Sequence, residues 1–221
     1  MSIAAPSALG PFPDLRARVT GRVAGFLAAG RACVIVGGPG TGKSRLLREI
    51  ARRVPGVLAI DDATPAELGR ALAEPRRPLV VSLGVLSYEE ARGLAKGEAF
   101  VPLVNVPRPW VRERAPDDWE ARWERSFGHP ALFAAHGTPE MDDLRDRLRA
   151  AWRGLLDERY EEEVMLTELR KLGELAPSER HERLVATHGE ALKHHLDWLA
   201  CAGMVTRTLD DEAAGVTPVP V

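Results

Sequence analysis

Apolar and amphipathic segments alternate along the first half of the chain. Four short apolar runs indicate buried strands, at residues 32–36, 57–60, 79–83 and 100–104. Between these runs, apolar positions recur at the spacing of a helix, and glycine or proline ends most segments. Strands that alternate with helices predict right-handed crossovers and a parallel sheet, and hence an α/β fold. Pro102 cannot donate a backbone hydrogen bond, so we expect the last strand to lie at an edge of the sheet.

Two helix starts are predicted from capping sequences. Thr64 is followed by Pro65 and Glu67, which is the spacing of a capping box with proline at the first helical position. Ser87 and Glu90 have the same spacing. We therefore expect one helix to begin after the second strand and another after the third.

After Pro107 the apolar pattern is helical only. Trp119 and Trp123 lie one helical turn apart, and a long helix is predicted to begin after Thr138. We divide the chain into an irregular N-terminus (1–14), an α/β core (15–107), an all-helical segment (108–163), a C-terminal domain (164–209) and a disordered tail (210–221).

The composition excludes some classes of protein. The formal net charge of -2 is close to neutral, so bulk charge gives no argument for binding to nucleic acid or to an anionic membrane. No apolar run is long enough to span a bilayer, and the N-terminus lacks the layout of a signal peptide. We interpret Cys33 and Cys201 as buried apolar groups in a reducing compartment. We therefore expect a cytoplasmic protein that does not contact membranes.

The most informative segment is a glycine-rich loop between the first strand and the helix that follows it. Residues 37–44, Gly-Gly-Pro-Gly-Thr-Gly-Lys-Ser, fit the pattern G-x-x-x-x-G-K-[ST] of the phosphate-binding P-loop. Glycines allow successive backbone N–H groups to turn toward one anion, and the helix N-terminus adds partial positive charge. The apolar run before the loop and the amphipathic helix after it are the context that this motif requires.

The motif predicts a phosphate-bearing ligand with Mg²⁺. We expect Lys43 to reach the β- and γ-phosphates and to take part in catalysis, and the Ser44 hydroxyl to bind Mg²⁺. The residues expected to contact the nucleotide in this segment are Gly37, Gly38, Pro39, Gly40, Thr41, Gly42, Lys43, Ser44 and Arg45.

An acidic pair follows the second strand. Asp61 is the candidate magnesium ligand, because an apolar strand that ends in a carboxylate beside this loop is how such folds hold Mg²⁺. Asp62 is the candidate group that orients or deprotonates an attacking water. An ordinary strand-to-helix turn, where Asp is common, would also explain the pair. In a nucleotide kinase, either carboxylate would instead contact the acceptor substrate.

Two further groups are candidates for the chemistry. Ser82 ends the third strand, where its hydroxyl could touch the γ-phosphate or the water, and a strand-end serine without a catalytic role is an equal alternative. Arg108, Arg112 and Arg114 follow the fourth strand, and any of them could serve as an arginine finger, within the chain or in a neighbouring copy. A solvated arginine-rich turn is the alternative, so homo-oligomerisation stays open.

These segments resemble those of one group of P-loop proteins. Residues 37–44 resemble the Walker A element of AAA+ and related additional-strand ATPases, and residues 59–63 resemble their Walker B element. Residues 127–132, Phe-Gly-His-Pro-Ala-Leu, are similar to a segment in the helical lid of STAND-type and archaeal-type ATPases. Under this resemblance, the second strand is the Walker B strand and the third is the sensor-1 strand. The strand and helix usual between Walker A and Walker B are then absent, so we expect a reduced core.

The resemblance carries expectations for other residues. It implies that residues 108–163 form a helical lid, and that His129 and Pro130 contact the nucleotide. The chain departs from the family pattern at two positions. Asp62 stands where the usual catalytic residue is Glu, and Phe127 stands where the pattern has a second glycine. We therefore expect hydrolysis to be slow or to depend on a partner.

The C-terminal segment resembles a winged helix. Residues 202–207, Ala-Gly-Met-Val-Thr-Arg, are similar to the turn that leads into the wing, and three helices are predicted before it. The resemblance implies contact with DNA or protein through the third helix. Glu190 and Asp197 lie on that helix, whereas a surface that follows phosphates should be basic. A protein partner is therefore at least as well supported as DNA.

The predicted fold is α/β, with the parallel-sheet core of a P-loop NTPase, an all-helical lid and a winged-helix-like C-terminal domain. The leading functional hypothesis is an MgATP-binding ATPase that acts as a nucleotide-dependent switch on a protein or DNA partner. The first alternative is a nucleotide-sensing adaptor with little hydrolysis. The second is a small-molecule kinase, which the long helical C-terminal half disfavours.

Overall fold

The chain divides into two compact units in a computed structural model, Met1–Leu103 and Val104–Val221. The structure describes residues 13–74, 78–106, 108–115, 117–206 and 217–219. We predicted that the first unit would end at Pro107, which lies outside the described residues. The division falls just before that position, where the chain leaves the last strand of the sheet.

The first unit is an α/β unit with a four-stranded parallel sheet. Its strands are β1 (Cys33–Gly37), β2 (Leu58–Ile60), β3 (Leu79–Gly84) and β4 (Ala99–Pro102). They pair in the order β2-β3-β1-β4, and every pairing is parallel. The predicted α/β fold is therefore confirmed, and β4, which contains Pro102, lies at an edge as expected.

In the described part of this unit, four helices accompany the sheet: α1 (Pro13–Ala28), α2 (Lys43–Arg53), α3 (Pro65–Ala73) and α4 (Tyr88–Leu94). The capping box before α3 is confirmed, because the Thr64 hydroxyl accepts the Glu67 N–H while the Glu67 carboxylate accepts the Thr64 N–H. The helix start predicted at Ser87 is confirmed, because Ser87 is the N-cap residue of α4, but the capping box itself is wrong. Ser87 lies in a 3₁₀ turn and makes no capping hydrogen bond through its side chain.

The first unit has three layers, with the sheet between two pairs of helices. Helices α1 and α2 cover one face of the sheet, in a cluster that contains Val23, Leu27, Leu46, Leu47, Ile50, Cys33, Ile35 and Val80. Successive side chains of a strand point to opposite faces, so Val34 and Val36 face the other side. There α3 and α4 contact each other and pack on β1 and β3. Strands covered on both faces explain why β1 is apolar throughout.

Among its described residues, the regular structure of the second unit is helical apart from one short strand pair. Its helices are α5 (Arg108–Arg114), α6 (Trp119–Ser126), α7 (Pro130–Ala135), α8 (Met141–Leu156), α9 (Tyr160–Lys171), α10 (Pro177–His188) and α11 (Leu192–Ala202). Strands β5 (Val205–Thr206) and β6 (Thr217–Pro218) are antiparallel. The largest fully buried side chains of this unit are Leu132, Met165, Leu169, Leu184, Trp198 and Leu199.

Both predicted chain ends need correction. We predicted a disordered tail over 210–221, but β6 pairs with β5, and the Val219 N–H donates to the Met204 carbonyl at 2.8 Å. Val219 is buried, so its apolar side chain stabilises the end of the chain in the unit. Residues 207–216 and 220–221 lie outside the described residues. The irregular N-terminus predicted over 1–14 is wrong at its end, where Pro13 begins α1, and residues 1–12 lie outside the described part.

The predicted helical segment 108–163 and C-terminal domain 164–209 belong to one compact unit. The Trp152 indole N–H, on α8, donates to the Ala202 carbonyl at the end of α11 at 3.1 Å. The Asn105 amide donates to the Gly203 carbonyl at 2.8 Å. Both bonds are buried; the first joins the two predicted segments in one core, and the second joins Asn105, which precedes both segments, to the end of α11. Among the described residues, no helix combines the length and apolar character needed to cross a membrane.

Candidate functional site

The glycine-rich loop joins β1 to α2 at the carboxyl edge of the sheet. Gly40 and Gly42 have positive φ angles of 72° and 95°, which side chains with a Cβ rarely adopt. Gly42 is the N-cap residue of α2 and supplies no side-chain capping bond. The first N–H groups of α2 therefore face the loop without a side-chain acceptor from the cap, and α2 has no acidic residue in its first turn. This arrangement favours an anion.

Glycine is required at position 37 because of the limited space around it rather than because of its backbone conformation. A Cβ at this position would lie 2.6 Å from the Thr41 hydroxyl and 3.2 Å from the Leu103 Cβ. Thr41 is buried, and its hydroxyl donates to the Gly38 carbonyl at 2.8 Å. The absence of a side chain at Gly37 thus allows Thr41 to close the loop from inside. We predicted Thr41 as a nucleotide contact, and the structure shows that its hydroxyl bonds to the loop itself.

The Lys43 side chain lies along the loop. Its ammonium donates to the Gly37 carbonyl at 2.7 Å and to the Gly38 carbonyl at 3.3 Å. Ser44 follows in the first turn of α2, and both residues are partly exposed. A cation and a hydroxyl therefore stand at the positively polarised end of one helix.

Ser82 connects the acidic pair to the sheet. Its hydroxyl donates to Asp61 Oδ1 at 2.5 Å and accepts the Asp62 N–H at 2.9 Å. The Ser82 carbonyl also accepts the Ala63 N–H at 2.8 Å. Ser82 is fully buried, whereas both aspartates are exposed. The turn after β2 is thus anchored by three hydrogen bonds to one residue of β3.

The register of β2 against β3 shows toward which face of the sheet the Asp61 carboxylate lies. Ile60 pairs with Val81, so Asp61 follows directly beside Ser82. Val80 packs under α1 and α2, and Ser82, two residues later on the same strand, points to the same face. Because the Ser82 hydroxyl bonds to it, the Asp61 carboxylate lies toward the face that carries α2. That helix begins with Lys43 and Ser44.

The loop lies where the connections of neighbouring strands diverge. The chain leaves β1 toward α2 on one face of the sheet, whereas it leaves β3 toward α4 on the other. In open parallel sheets, the crevice between such strands at their carboxyl ends is where ligands bind. The glycine-rich loop follows β1 at this crevice.

His129 and Pro130 lie in the second unit and are both buried. His129 precedes α7 as its N-cap residue, and Pro130 is the first residue of that helix. The His129 ring meets the Trp152 ring edge-on, with centroids 5.7 Å apart. The predicted contact of these two residues with a nucleotide stays a prediction, and the structure shows a packing role for the His129 ring.

Two of the three arginines that we considered as arginine fingers stack on one aromatic ring. The guanidinium carbons of Arg108 and Arg112 lie 5.0 Å and 5.8 Å from the centre of the Trp119 ring. Such stacking is a cation–π interaction. The Arg114 side chain lies outside the described part of the structure. The sequence did not point to Trp119 as the partner of these arginines, although its position on the next helix is compatible with it.

Helix α11 has little free surface. Eight of its eleven residues are buried, including the continuous segment 198–202. Its exposed and partly exposed positions are Lys193, His194 and Asp197. On the opposite side, the His195 ring lies 3.2 Å from the Glu162 carboxylate of α9, and both are buried. The helix that the sequence suggested as a reading helix is therefore mainly a core helix.

We compared the chain with protein-family models, curated proteins and solved structures, and none of the three comparisons gave a match.

Proposed function

We propose that this chain is a P-loop ATPase that binds MgATP at residues 37–44 and acts as a nucleotide-dependent switch on a protein partner. The observation that carries the proposal is the placement of three groups on one face at the carboxyl edge of a parallel sheet. Lys43 and Ser44 begin α2, and the Asp61 carboxylate lies toward the face that carries this helix.

The residues at this edge fit a bound nucleotide with magnesium. The N–H groups of the loop and of the first turn of α2 would bind the phosphates, and the Lys43 ammonium would exchange its bonds to the Gly37 and Gly38 carbonyls for phosphate oxygens. Ser44 and Asp61 supply a hydroxyl and a carboxylate, which are oxygen ligands of the kind that Mg²⁺ prefers. Magnesium would neutralise charge that develops on the phosphates.

Hydrolysis would need a group beside the attacking water, and we assign this role to Asp62. Its side chain is exposed, and its backbone N–H is fixed by Ser82. A carboxylate at this point can orient the water and accept its proton as the γ-phosphate is transferred to it. Asp is one methylene shorter than the Glu usual in the resembled family, which supports slow or partner-stimulated turnover.

The distribution of carboxylates favours an ATPase over a small-molecule kinase. A kinase that used Asp61 and Asp62 on its acceptor would need another carboxylate for Mg²⁺ near Ser44. Residues 79–87, which form β3 and the turn after it, contain neither Asp nor Glu. The strand order agrees, because one strand lies between the loop strand and the acidic strand, as the resemblance to additional-strand ATPases implies.

A protein partner is favoured over DNA by the second unit. The sequence of this unit contains 16 Lys and Arg against 23 Asp and Glu, a net charge of -7. Phosphate backbones bind to clustered Lys and Arg. The buried α11 also leaves few side chains that could reach a base. We therefore propose that a winged-helix-like end of this chain, if it transmits the nucleotide state, does so to protein.

Nucleotide binding and turnover can be tested with three variants. Lys43→Ala should abolish binding of a fluorescent ATP analogue, because the phosphates lose their cation, whereas the matched Lys96→Ala, at an exposed turn, should bind like the wild type. Asp62→Asn should bind normally but release phosphate at least about tenfold more slowly, since its amide cannot accept the proton.

Each alternative function predicts a different result in the same assays. Binding by Lys43→Ala equal to that of the wild type would refute the site. Unchanged turnover in Asp62→Asn would remove the assignment of the base. Phosphate release no faster than in Lys43→Ala, even with a partner present, would support the nucleotide-sensing adaptor. Transfer of labelled phosphate to a nucleoside or sugar would support the kinase.

A further inference from the structure

We propose that Ser82 is a positioning residue that fixes the Asp61 carboxylate for magnesium, rather than a group that touches the nucleotide. The inference rests on the proposed MgATP site and concerns how that site is preorganised. It replaces the role that we expected from the sequence, in which the Ser82 hydroxyl contacted the γ-phosphate or the water.

The first argument is that the hydrogen-bonding capacity of Ser82 is directed at the acidic turn. A serine hydroxyl has one proton to donate, and here the Asp61 Oδ1 accepts it at 2.5 Å. The Ser82 hydroxyl oxygen in turn accepts the Asp62 N–H at 2.9 Å. A contact with phosphate would require the hydroxyl to give up its bond to Asp61.

The second argument is burial. Ser82 is fully buried within β3, between strands β2 and β1. A hydroxyl in such a place costs stability unless it is hydrogen-bonded, so its two partners explain why a polar side chain is stable there. Asp61 by contrast is exposed, and an exposed carboxylate without a fixed partner would sample several rotamers.

The third argument is what the bond does to Asp61. With Oδ1 held by Ser82, the carboxylate plane is restricted and Oδ2 remains for the metal or a metal-bound water. The bond to the Asp62 N–H also supports the left-handed backbone of Asp62, whose φ is 53°. One side chain thus orients the metal-binding carboxylate and the backbone of the proposed base. Outer-shell partners of this kind change metal affinity by about 10–100-fold when they are removed.

The proposal predicts a selective loss of magnesium dependence in Ser82→Ala. The variant should bind a fluorescent ATP analogue in EDTA with wild-type affinity, because the loop and Lys43 are unchanged. The Mg²⁺ concentration that gives half of the metal-induced increase in affinity should rise about tenfold or more. Ser82→Thr, which keeps the hydroxyl, should restore most of the wild-type Mg²⁺ dependence.

Two further variants serve as controls. Ser87→Ala removes a serine from the turn after β3 and should leave both measurements unchanged. In the background of Asp61→Asn, adding Ser82→Ala should cause no further loss, since the carboxylate that Ser82 orients is already gone. Because both proteins carry Asp61→Asn, this comparison separates positioning of the Asp61 carboxylate from a general effect of Ser82→Ala on folding. Thermal unfolding of each variant measures the effect on folding.

The outcomes distinguish this inference from the proposed function. If the wild type binds no nucleotide with or without Mg²⁺, the proposed function fails and the inference fails with it. If the wild type shows Mg²⁺-dependent binding and Ser82→Ala has the same dependence, the inference alone is overturned. Equal loss in EDTA and in Mg²⁺ would also overturn it, because Ser82 would then act on the phosphates or on the fold.

Discussion

Two residues other than glycine have a positive φ among the described residues, and one of them, Asp62, lies in the proposed site. Asp62 has a φ of 53° and Phe127 a φ of 44°. Asp tolerates this conformation better than most residues, whereas a bulky side chain is unusual in it. Phe127 caps the C-terminus of α6, donating its N–H to the Trp123 carbonyl at 2.7 Å. Its ring also packs on Trp123, with centroids 5.6 Å apart.

Gly128, the next residue, cannot be replaced without a steric conflict. Its φ is +74°, and a Cβ would lie 1.9 Å from the Val106 carbonyl oxygen. Gly128→Ala should lower the free energy of unfolding by about 3 kcal/mol or more. Two costs add here, because alanine is strained in the left-handed conformation and its Cβ forces the backbone to shift. Urea unfolding followed by circular dichroism measures this change.

Gly137→Ala is the matched control for that substitution. Gly137 has a φ of +77°, but nothing lies within 4 Å of an added Cβ. We expect a loss of only about 1–2 kcal/mol, from the backbone conformation alone. Equal losses in the two variants would show that the close approach to Val106 has no energetic consequence.

At the scale of single elements, α3 illustrates how a local sequence determines where a helix begins. The Glu67 carboxylate accepts hydrogen bonds from the Thr64 N–H at 2.8 Å and from the Thr64 hydroxyl at 2.9 Å. The N–H bond first, and the hydroxyl bond second, lower the pKa of Glu67 below its ordinary value of 4.5. Hydrogen bonds to the ionised form of a carboxyl group favour that form.

Thr64→Val should raise the pKa of Glu67 toward 4.5, because the hydroxyl bond is lost while the N–H bond remains. A carboxyl group whose pKa is lowered by folding stabilises the protein above the unfolded pKa, and this contribution is lost as pH falls through the folded pKa. The contribution of the ionised Glu67 carboxylate should therefore begin to decrease as the pH falls below about 4.5 and be lost as the pH falls through the lower folded pKa. NMR titration of the Glu67 side chain measures the shift, with Thr138→Val as the control. Identical titration curves in Thr64→Val and the wild type would contradict the prediction.

Residues 104–106, which follow β4, have no regular secondary structure but make defined hydrogen bonds within the second unit. The Asn105 amide bonds to the Gly203 and Val205 carbonyls, and the Val106 N–H donates to the Gly128 carbonyl at 2.8 Å. The short segment 104–106 thus connects the turn before α7 with the chain that leaves α11. Its buried bonds explain why the helices of the second unit form one core and not two domains.

At the scale of the whole molecule, the two units differ in charge. The first contains 14 Lys and Arg and 9 Asp and Glu, so its net charge is +5, against -7 for the second. The near-neutral total of the chain conceals this difference. Charge of one sign repels a like-charged partner, so the acidic second unit is unsuited to the phosphate backbone of DNA.

We therefore expect no salt-dependent DNA binding through α11. The measurement is fluorescence anisotropy of labelled duplex DNA at about 50 and 200 mM salt. The affinity for DNA should not fall between the two salt concentrations, because no counterions are released from the phosphates. Lys193→Glu, which changes an exposed position of α11, should behave like the wild type. Binding that weakens with salt and is abolished by Lys193→Glu would show instead that α11 contacts DNA.

Local features of the fold were predictable from the sequence because their causes are local. Apolar runs of strand length, the glycine-rich loop at residues 37–44 and the Thr64 capping box depend on neighbouring residues only, and the structure has all of them. At Ser87 the same spacing predicted where α4 begins but not the hydrogen bonds of a capping box. A 3₁₀ turn over residues 85–87, with Val85 buried, leads directly into α4, and the Ser87 side chain makes no capping bond.

Contacts between distant residues were decided only by the tertiary structure. The sequence by itself predicted that Asp61 and Ser82 lie at the ends of two strands, although Ser82 lies two residues before the end of β3, and their hydrogen bond depends on which strands are neighbours and in what register. Likewise, the pairing of β6 with β5 turned a proline-containing tail into a strand. Composition and periodicity describe how each segment can fold, whereas strand order and burial determine which polar groups meet, because hydrogen bonds between strands join residues far apart in sequence.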